Sequence, residues 1–411
     1  MELSPEQLAI LQGNQGPVKA MMMHQLVQLG QAMEAKRLVP ISNAHAILTG
    51  GGKLLSMLPE DAAAKQALQM DMVAGTRVAV KTTVQSGTVD LEQIDYLGIP
   101  EEAATVERKL LHEGSQSGFE VTWTCTPYLV GNVPSQGEVL AWTESSAVLY
   151  ANSMLGARTN RNGISAIAAA VTGWVPEYGM LLDGCRKAQI LVEVTVPLVD
   201  EMHWGALGYF TGDRAGLKVP VFTGLPSPTL EQVKQLCAAL ATSGGMSMFH
   251  IVGVTPEAPD LEAALGNHEP LAQYTFGSQE LQETIDRMRQ VSGKDIDHAV
   301  LGCPHATLYE VERAARLLRG KRLPSGVKVW IWTPFALKEV ACRLGYVDAI
   351  EGAGGKVLSD SCPLAGLFSG GTRMVTNSFK MAHYSRAMLG NEVYIADWRS
   401  CLEAALEGRL P

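Results

Sequence analysis

The chain has 411 residues, 46% hydrophobic and 18% charged, with a formal net charge of −9. That length exceeds one hydrophobic core and predicts two or three domains, while the negative balance and the lack of a basic run exclude a phosphate-tracking nucleic-acid surface. No apolar run approaches the roughly 18 residues of a membrane span, and the polar start Met1-Glu2-Leu3-Ser4-Pro5-Glu6 is not a signal peptide.

The first predicted element is a helix over 16–36, where Val18, Met21, Met22, Leu26, Leu29 and Met33 recur at helical spacing and place the methionines in the core. Leu38-Val39-Pro40-Ile41 is then extended and delivers Asn43 and His45, the latter either a buried histidine or a site residue. Gly50-Gly51-Gly52-Lys53 lacks the spacing and Ser/Thr partner of a phosphate loop. A strand over 77–80 ends in Thr82 and Thr83, and another over 119–123 leads to Cys125.

The densest polar block runs over 141–163. It contains a helix whose first turn presents Glu144, Ser145 and Ser146, followed by the loop Arg158-Thr159-Asn160-Arg161-Asn162. Free amides at a helix start bind anions, and two arginines flanking Thr159-Asn160 suit a bidentate clamp on a carboxylate. Capping by Glu144 and Ser145 explains the helix start but not the polar run behind it.

The second half alternates regularly. A strand over 218–222 precedes a helix opened by Ser227-Pro228-Thr229, reaching Ala241 and stopped by Gly244-Gly245; 246–252 is the next strand. The acidic stretch over 256–279 reads as a linker or surface excursion. His298–Leu301 is a strand, Thr307 with Glu310 makes a capping box, Lys328–Trp332 follows, and Thr333-Pro334 and Gly345 bound a helix. Strands at Lys356–Leu358, 373–375 and 393–395 precede a last helix from about Arg399. This is an α/β pattern with parallel sheets, divided here into regions 1–215 and 216–411.

Three of the seven cysteines sit in similar motifs: Thr124-Cys125-Thr126-Pro127-Tyr128, Gly302-Cys303-Pro304-His305 and Ser361-Cys362-Pro363-Leu364. Each follows an apolar, strand-like stretch, so each thiol belongs at the carboxyl rim where α/β sheets bind ligands. Three thiols from distant segments suggest an iron–sulfur cluster that leaves one iron free for substrate. Cys237, Cys342 and Cys401 lie in amphipathic helical patterns and read as core; Cys185, in a turn, stays open. The absence of a C-x-x-C pair argues against a zinc ribbon or thioredoxin-type site. An odd cysteine count fits a reducing cytoplasm.

The polar block, Thr124-Cys125-Thr126-Pro127-Tyr128-Leu129, Gly302-Cys303-Pro304-His305, Phe249-His250-Ile251-Val252-Gly253-Val254-Thr255-Pro256-Glu257-Ala258 and Thr376-Asn377-Ser378 together resemble the aconitase X family, from about residue 10 to 405. The resemblance implies several parallel-sheet α/β/α lobes around a central iron–sulfur site on Cys125, Cys303 and Cys362. It also implies dehydration of a small hydroxy acid: cis-3-hydroxy-L-proline for bacterial members, a phosphorylated mevalonate for archaeal ones. Pro40-Ile41-Ser42-Asn43-Ala44-His45 is closer to the hydroxyproline type. On this basis Glu144, Ser145 and His45 are catalytic candidates. Asn43, Thr82, Thr83, Asn152, Arg158, Thr159, Asn160, Arg161 and Lys380 are candidates for holding substrate. Lys81 and Phe379 depart from the family pattern, where a proline and a small residue are expected. The family's swivelling domain, thought to carry a serine base, has no room after the last helix, so a separate small subunit is expected over the cysteine rim. A cluster-bearing sensor without turnover and a zinc hydrolase are the readings from other classes.

Overall fold

Short buried strands alternating with helices build three parallel sheets, each from its own stretch of chain. The computed structural model describes residues 1–48, 75–87, 89–364 and 371–410. In the first lobe Asn43–Ala46 lies between Lys81–Val84 and Leu140–Trp142, all parallel, and Leu38–Pro40 pairs antiparallel with Trp174–Pro176. The second sheet runs His250–Ile251, Pro220–Thr223, Ile190–Val194, Ala272–Phe276. The third runs Lys356–Leu358, Lys328–Trp332, His298–Leu301, Arg373–Thr376, Glu392–Ile395. Strands such as His298–Leu301 are buried throughout, which is why they read as continuous apolar runs rather than alternating ones.

Local chemistry explains the helices. Thr229 with Gln232, and Thr307 with Glu310, form complete capping boxes at the starts of Leu230–Gly244 and Leu308–Leu318. Helix Glu201–Ala215 lies directly against Leu230–Gly244 because Gly208 and Gly212 face it. A Cβ at Gly212 would stand 2.1 Å from Ser243 Oγ. No helix among the described residues is long and apolar enough to cross a membrane.

His298–Leu301, Lys328–Trp332 and Lys356–Leu358 fall where the sequence predicts them. Other expectations need correction. The first long helix spans Pro17–Ala32 and buries Met22 and Met23, but Met21 and Met33 are exposed. The strand expected over 77–80 lies at Lys81–Val84, so Thr82 and Thr83 are inside it, and His45 is likewise mid-strand. The strand over 246–252 shrinks to His250–Ile251. The stretch over 256–279 is no linker: it holds helix Leu261–Leu265, capped by Asp260, and the edge strand Ala272–Phe276. Of its acidic residues Asp260 caps that helix and Glu257 pairs with Arg186, and its polarity reflects an edge strand with alternate residues exposed. Cys342 is exposed, on the outer side of its helix, whereas Cys237 and Cys401 are buried. Position 215/216 falls between a helix and a strand of the second lobe. Gly50-Gly51-Gly52-Lys53 lies outside the described residues.

Candidate active site

Three loops carry the motif cysteines together, and each is fixed differently. The Cys303 loop leaves strand His298–Leu301 through Gly302, whose φ is +85° and where a Cβ would meet the Trp332 carbonyl at 2.0 Å. Only glycine fits there. From the second lobe, Gln235 Nε2 donates to the Cys303 carbonyl at 3.3 Å and Lys234 Nζ to the His305 carbonyl at 2.9 Å. Lys234 is fully buried and paired with Glu310. The Cys362 loop is tied by the Asp90 carboxylate, which accepts from Ser359 N at 2.9 Å, and by Gly87 N, which donates to the Asp360 carbonyl at 2.7 Å.

The Cys125 loop corrects an expectation, because residues 119–123 form no strand. They run beside Lys81–Val84 as an irregular edge, with Glu120 N donating to Thr82 O at 2.8 Å and Thr124 N to Val84 O at 3.1 Å. Between those bonds the Thr122 hydroxyl takes the Val84 N–H at 3.1 Å, and Trp123 turns the chain at φ +34°. A side chain substitutes for the backbone acceptor and a left-handed residue ends the ladder.

The three thiols stand in one another's fields. Burial, then the Glu144 charge, pushes Cys125 up to about 12, with Cys303 adding to the rise. Burial raises Cys362 further, with contributions from Cys303 and Cys125. Lys380 pulls all three down, and the Ser378 hydroxyl bonds to Cys303. No described cysteine is in a disulfide. Buried thiols that oppose each other's ionisation want a bound cation, since a coordinating thiol is deprotonated outright. Among the described residues no three His, Cys, Asp or Glu are grouped to hold a single metal ion. A multi-iron cluster takes its thiolates on different irons and spreads them wider, so three separate loops fit it.

Beside the thiols lies a buried ion pair. Glu144 caps helix Ser145–Ser153 and accepts from Lys380 Nζ at 2.5 Å and Gln85 Nε2 at 2.7 Å. The Ser145 and Ser146 hydroxyls donate to it at 3.3 and 3.1 Å. Burial opposes ionisation of Glu144, but the charge and hydrogen bond of Lys380 outweigh it and hold the carboxyl near 2. Lys380 is held cationic, its burial outweighed by Glu144 and the thiols. His45 is fully buried, lowered to about 4 by desolvation and so neutral. Its Nδ1 is 2.9 Å from the Thr83 hydroxyl, and its Nε2 has no partner among the described residues. Both amide atoms of Asn377, Ser361 Oγ and Gln85 Oε1 are also buried without partners there.

The other sequence candidates are placed elsewhere. Arg158 pairs with the exposed Asp183 at 2.5 Å and donates to Leu181 O at 2.9 Å. Asn152 brackets the backbone of Thr159 at 2.8 and 2.9 Å. The Thr159 hydroxyl accepts from Trp142 N at 3.1 Å, and Asn160 ties to Tyr178 and Met180 at 2.9 Å. Asn43 accepts from Trp142 Nε1 at 2.8 Å, and Thr82 donates to Val80 O at 2.9 Å. These groups hold the fold and its loops. Arg161, exposed and within the field of Glu144, is the arginine left available to a ligand. Sequence reasoning missed Gln85, Lys234 and the role of His305; only His305 stood in a motif that signalled it.

Profiles of the aconitase X first, second and third domains match residues 1–184, 188–286 and 296–407. The chain is 38% identical to the phosphomevalonate dehydratase large subunit of Methanothermobacter thermautotrophicus, over 95% of each chain. It is 34% identical to the cis-3-hydroxy-L-proline dehydratase of Pseudomonas aeruginosa, over 98% of this chain and 70% of that one. The solved structure of Thermococcus kodakaraensis aconitase X in its holo form superposes with a TM-score of 0.85 at 35% identity, covering 98% of this chain and 100% of the other. Fold and relatives define a hydro-lyase with an aconitase-like architecture, for which an iron–sulfur cluster is implied. The chain belongs to the aconitase X family.

Proposed function

We propose that the chain is the large subunit of a dehydratase that converts cis-3-hydroxy-L-proline to Δ1-pyrroline-2-carboxylate. The observation that carries this is the convergence of the Cys125, Cys303 and Cys362 loops on the Glu144–Lys380 pair. Those three thiols would hold an iron–sulfur cluster, which when bound supplies a Lewis-acidic iron that eases departure of the hydroxyl. Arg161 receives the substrate carboxylate, and neutralising it makes the C2 proton easier to remove. Loss of that proton and of the C3 hydroxyl leaves an enamine, which tautomerises to the cyclic imine. Glu144, kept ionised by Lys380, offers its charge to the substrate ammonium. Neutral His45 stands behind it, its Nε2 without a partner among the described residues.

A zwitterionic amino acid suits this charge set: buried Glu144 acts on the thiols, and exposed Arg161 lies within the field of Glu144. A phosphorylated hydroxy acid would call for more cationic groups. The second reading, phosphomevalonate, is favoured by the match over 95–100% of the large subunits bearing that name. We further propose a separate small subunit that closes over the cysteine rim and supplies the base. The names of the large-subunit relatives support it, as does the longer chain of the hydroxyproline dehydratases. The test is anaerobic purification with and without such a subunit, assayed on cis-3-hydroxy-L-proline and phosphomevalonate. Turnover of the proline only with the partner is expected. Full activity of this polypeptide alone would place the base among Ser145, Ser146 and His45, and exclusive turnover of phosphomevalonate would overturn the substrate.

A further inference from the structure

We propose that His305 is the positioning residue that holds the three cysteine loops in register, an inference that rests on Cys125, Cys303 and Cys362 sharing one cluster. His305 belongs to the Cys303 loop, yet it touches both of the others. Its backbone N–H donates to Cys125 Sγ at 3.3 Å. Its ring Nδ1 lies 3.0 Å from the hydroxyl of Thr124, next to Cys125. Its ring Nε2 lies 2.9 Å from the carbonyl of Ser361, next to Cys362.

The directions of these bonds are fixed by elementary chemistry. A backbone carbonyl only accepts, so Nε2 carries the proton and the neutral ring accepts at Nδ1. The Thr124 hydroxyl must therefore donate to Nδ1. It in turn accepts from the Thr126 N–H at 3.1 Å and the Thr126 hydroxyl at 2.9 Å. One tautomer satisfies the whole run from Thr126 through Thr124 and His305 to Ser361. Both ring nitrogens are committed and the residue is buried, which leaves no position for proton transfer to substrate. The imidazole acts as a rigid spacer with a hydrogen bond at each end, and Lys234 fixes its carbonyl from behind. Groups behind the ligands in this way set ligand geometry before a metal centre binds.

The experiment compares wild type, Cys125→Ser, Thr124→Ser, Thr124→Val, His305→Gln and His305→Phe after anaerobic reconstitution with iron and sulfide. Iron per chain, visible absorption and the rate of iron loss to a chelator are measured, with far-UV circular dichroism and Tm of the metal-free chains alongside. Thr124→Ser should match wild type. Thr124→Val and His305→Phe should lose iron faster, on the order of ten-fold or more, with metal-free folds like wild type. His305→Gln, whose amide still reaches Ser361, should fall between. If His305→Phe does not fold, Thr124→Val against Thr124→Ser decides. Wild-type retention in Thr124→Val, or in a folded His305→Phe, would overturn the proposal. A wild-type chain that takes up no iron, or a Cys125→Ser chain that loads normally, would instead remove the three-cysteine reading and this inference with it.

Discussion

The loop over 158–162 and the cysteine rim are both conspicuously polar in sequence, yet they differ in what their polar atoms do. In the loop, Thr159, Asn160 and Arg158 spend donors and acceptors on neighbouring backbone and on Asp183, and Asn152 of the preceding helix brackets Thr159. At the rim, His45 Nε2, both amide atoms of Asn377, Ser361 Oγ and Gln85 Oε1 are buried without partners among the described residues. Leaving such a group unpaired costs about 1–3 kcal/mol, so a surplus of them in one place calls for a ligand or cofactor to complete it. Polarity marks both regions; in the loop Asn162 Oδ1 is buried without a partner among the described residues, whereas at the rim several such atoms gather.

The comparison breaks most sharply at the thiols. Cys125→Ser, Cys303→Ser or Cys362→Ser should each abolish visible absorption and turnover, while Cys342→Ser on the surface should change neither. Equal loss from Cys342→Ser would end the distinction. Next in size is Lys380→Met, which strands the Glu144 carboxylate in the interior; breaking a buried pair this way costs about 3–5 kcal/mol. Denaturant unfolding of the metal-free chain would measure it. Because Glu144 sits near 2 in the folded chain, below its ordinary 4.5, its contribution is present above about pH 4.5 and fades as pH falls toward 2. The acid limb of the stability profile should flatten over that window in Lys380→Met, and an unchanged limb would contradict the pairing.

Smaller effects sharpen the contrast between the two arginines. Arg161→Ala should lower kcat/KM by roughly thirty-fold with iron content intact. Arg158→Ala should leave kcat/KM within about three-fold and cost under about 1 kcal/mol of stability, as expected of a pair with so exposed an aspartate. The reverse ranking would move the substrate carboxylate from Arg161 to Arg158. Asn152→Ala should behave as scaffold, losing about 1–3 kcal/mol in unfolding experiments without changing the absorption of the folded protein.

Much of the fold was legible because parallel strands buried on both faces and complete capping boxes leave plain signatures. His298–Leu301 and the Thr307 box are examples. Boundaries failed where tertiary pairing overrode local pattern. Thr82 and Thr83 look like a hydroxyl pair at a strand's end, yet the ladder with Asn43–Ala46 draws them inside the strand. The edge strand Ala272–Phe276 reads as linker because alternate residues, Gln273 and Thr275, are exposed. In the site, the cysteines and Glu144 were visible as motifs. Gln85, Lys234 and the bridging by His305 were not, since their meaning lies in contacts with residues tens to hundreds of positions away. The two arginines looked equivalent for the same reason: Asp183 and the Leu181 carbonyl, arriving from another segment, distinguish them.

The central claim is that substrate meets this chain at the three-thiol rim beside Glu144 and Arg161. It is tested most directly by titrating the anaerobically reconstituted protein with cis-3-hydroxy-L-proline while recording its visible and electron paramagnetic resonance spectra. The account expects a saturable spectral change in wild type that weakens in Arg161→Ala and persists in Arg158→Ala. A spectrum indifferent to the ligand in a protein that nonetheless dehydrates it would contradict the account.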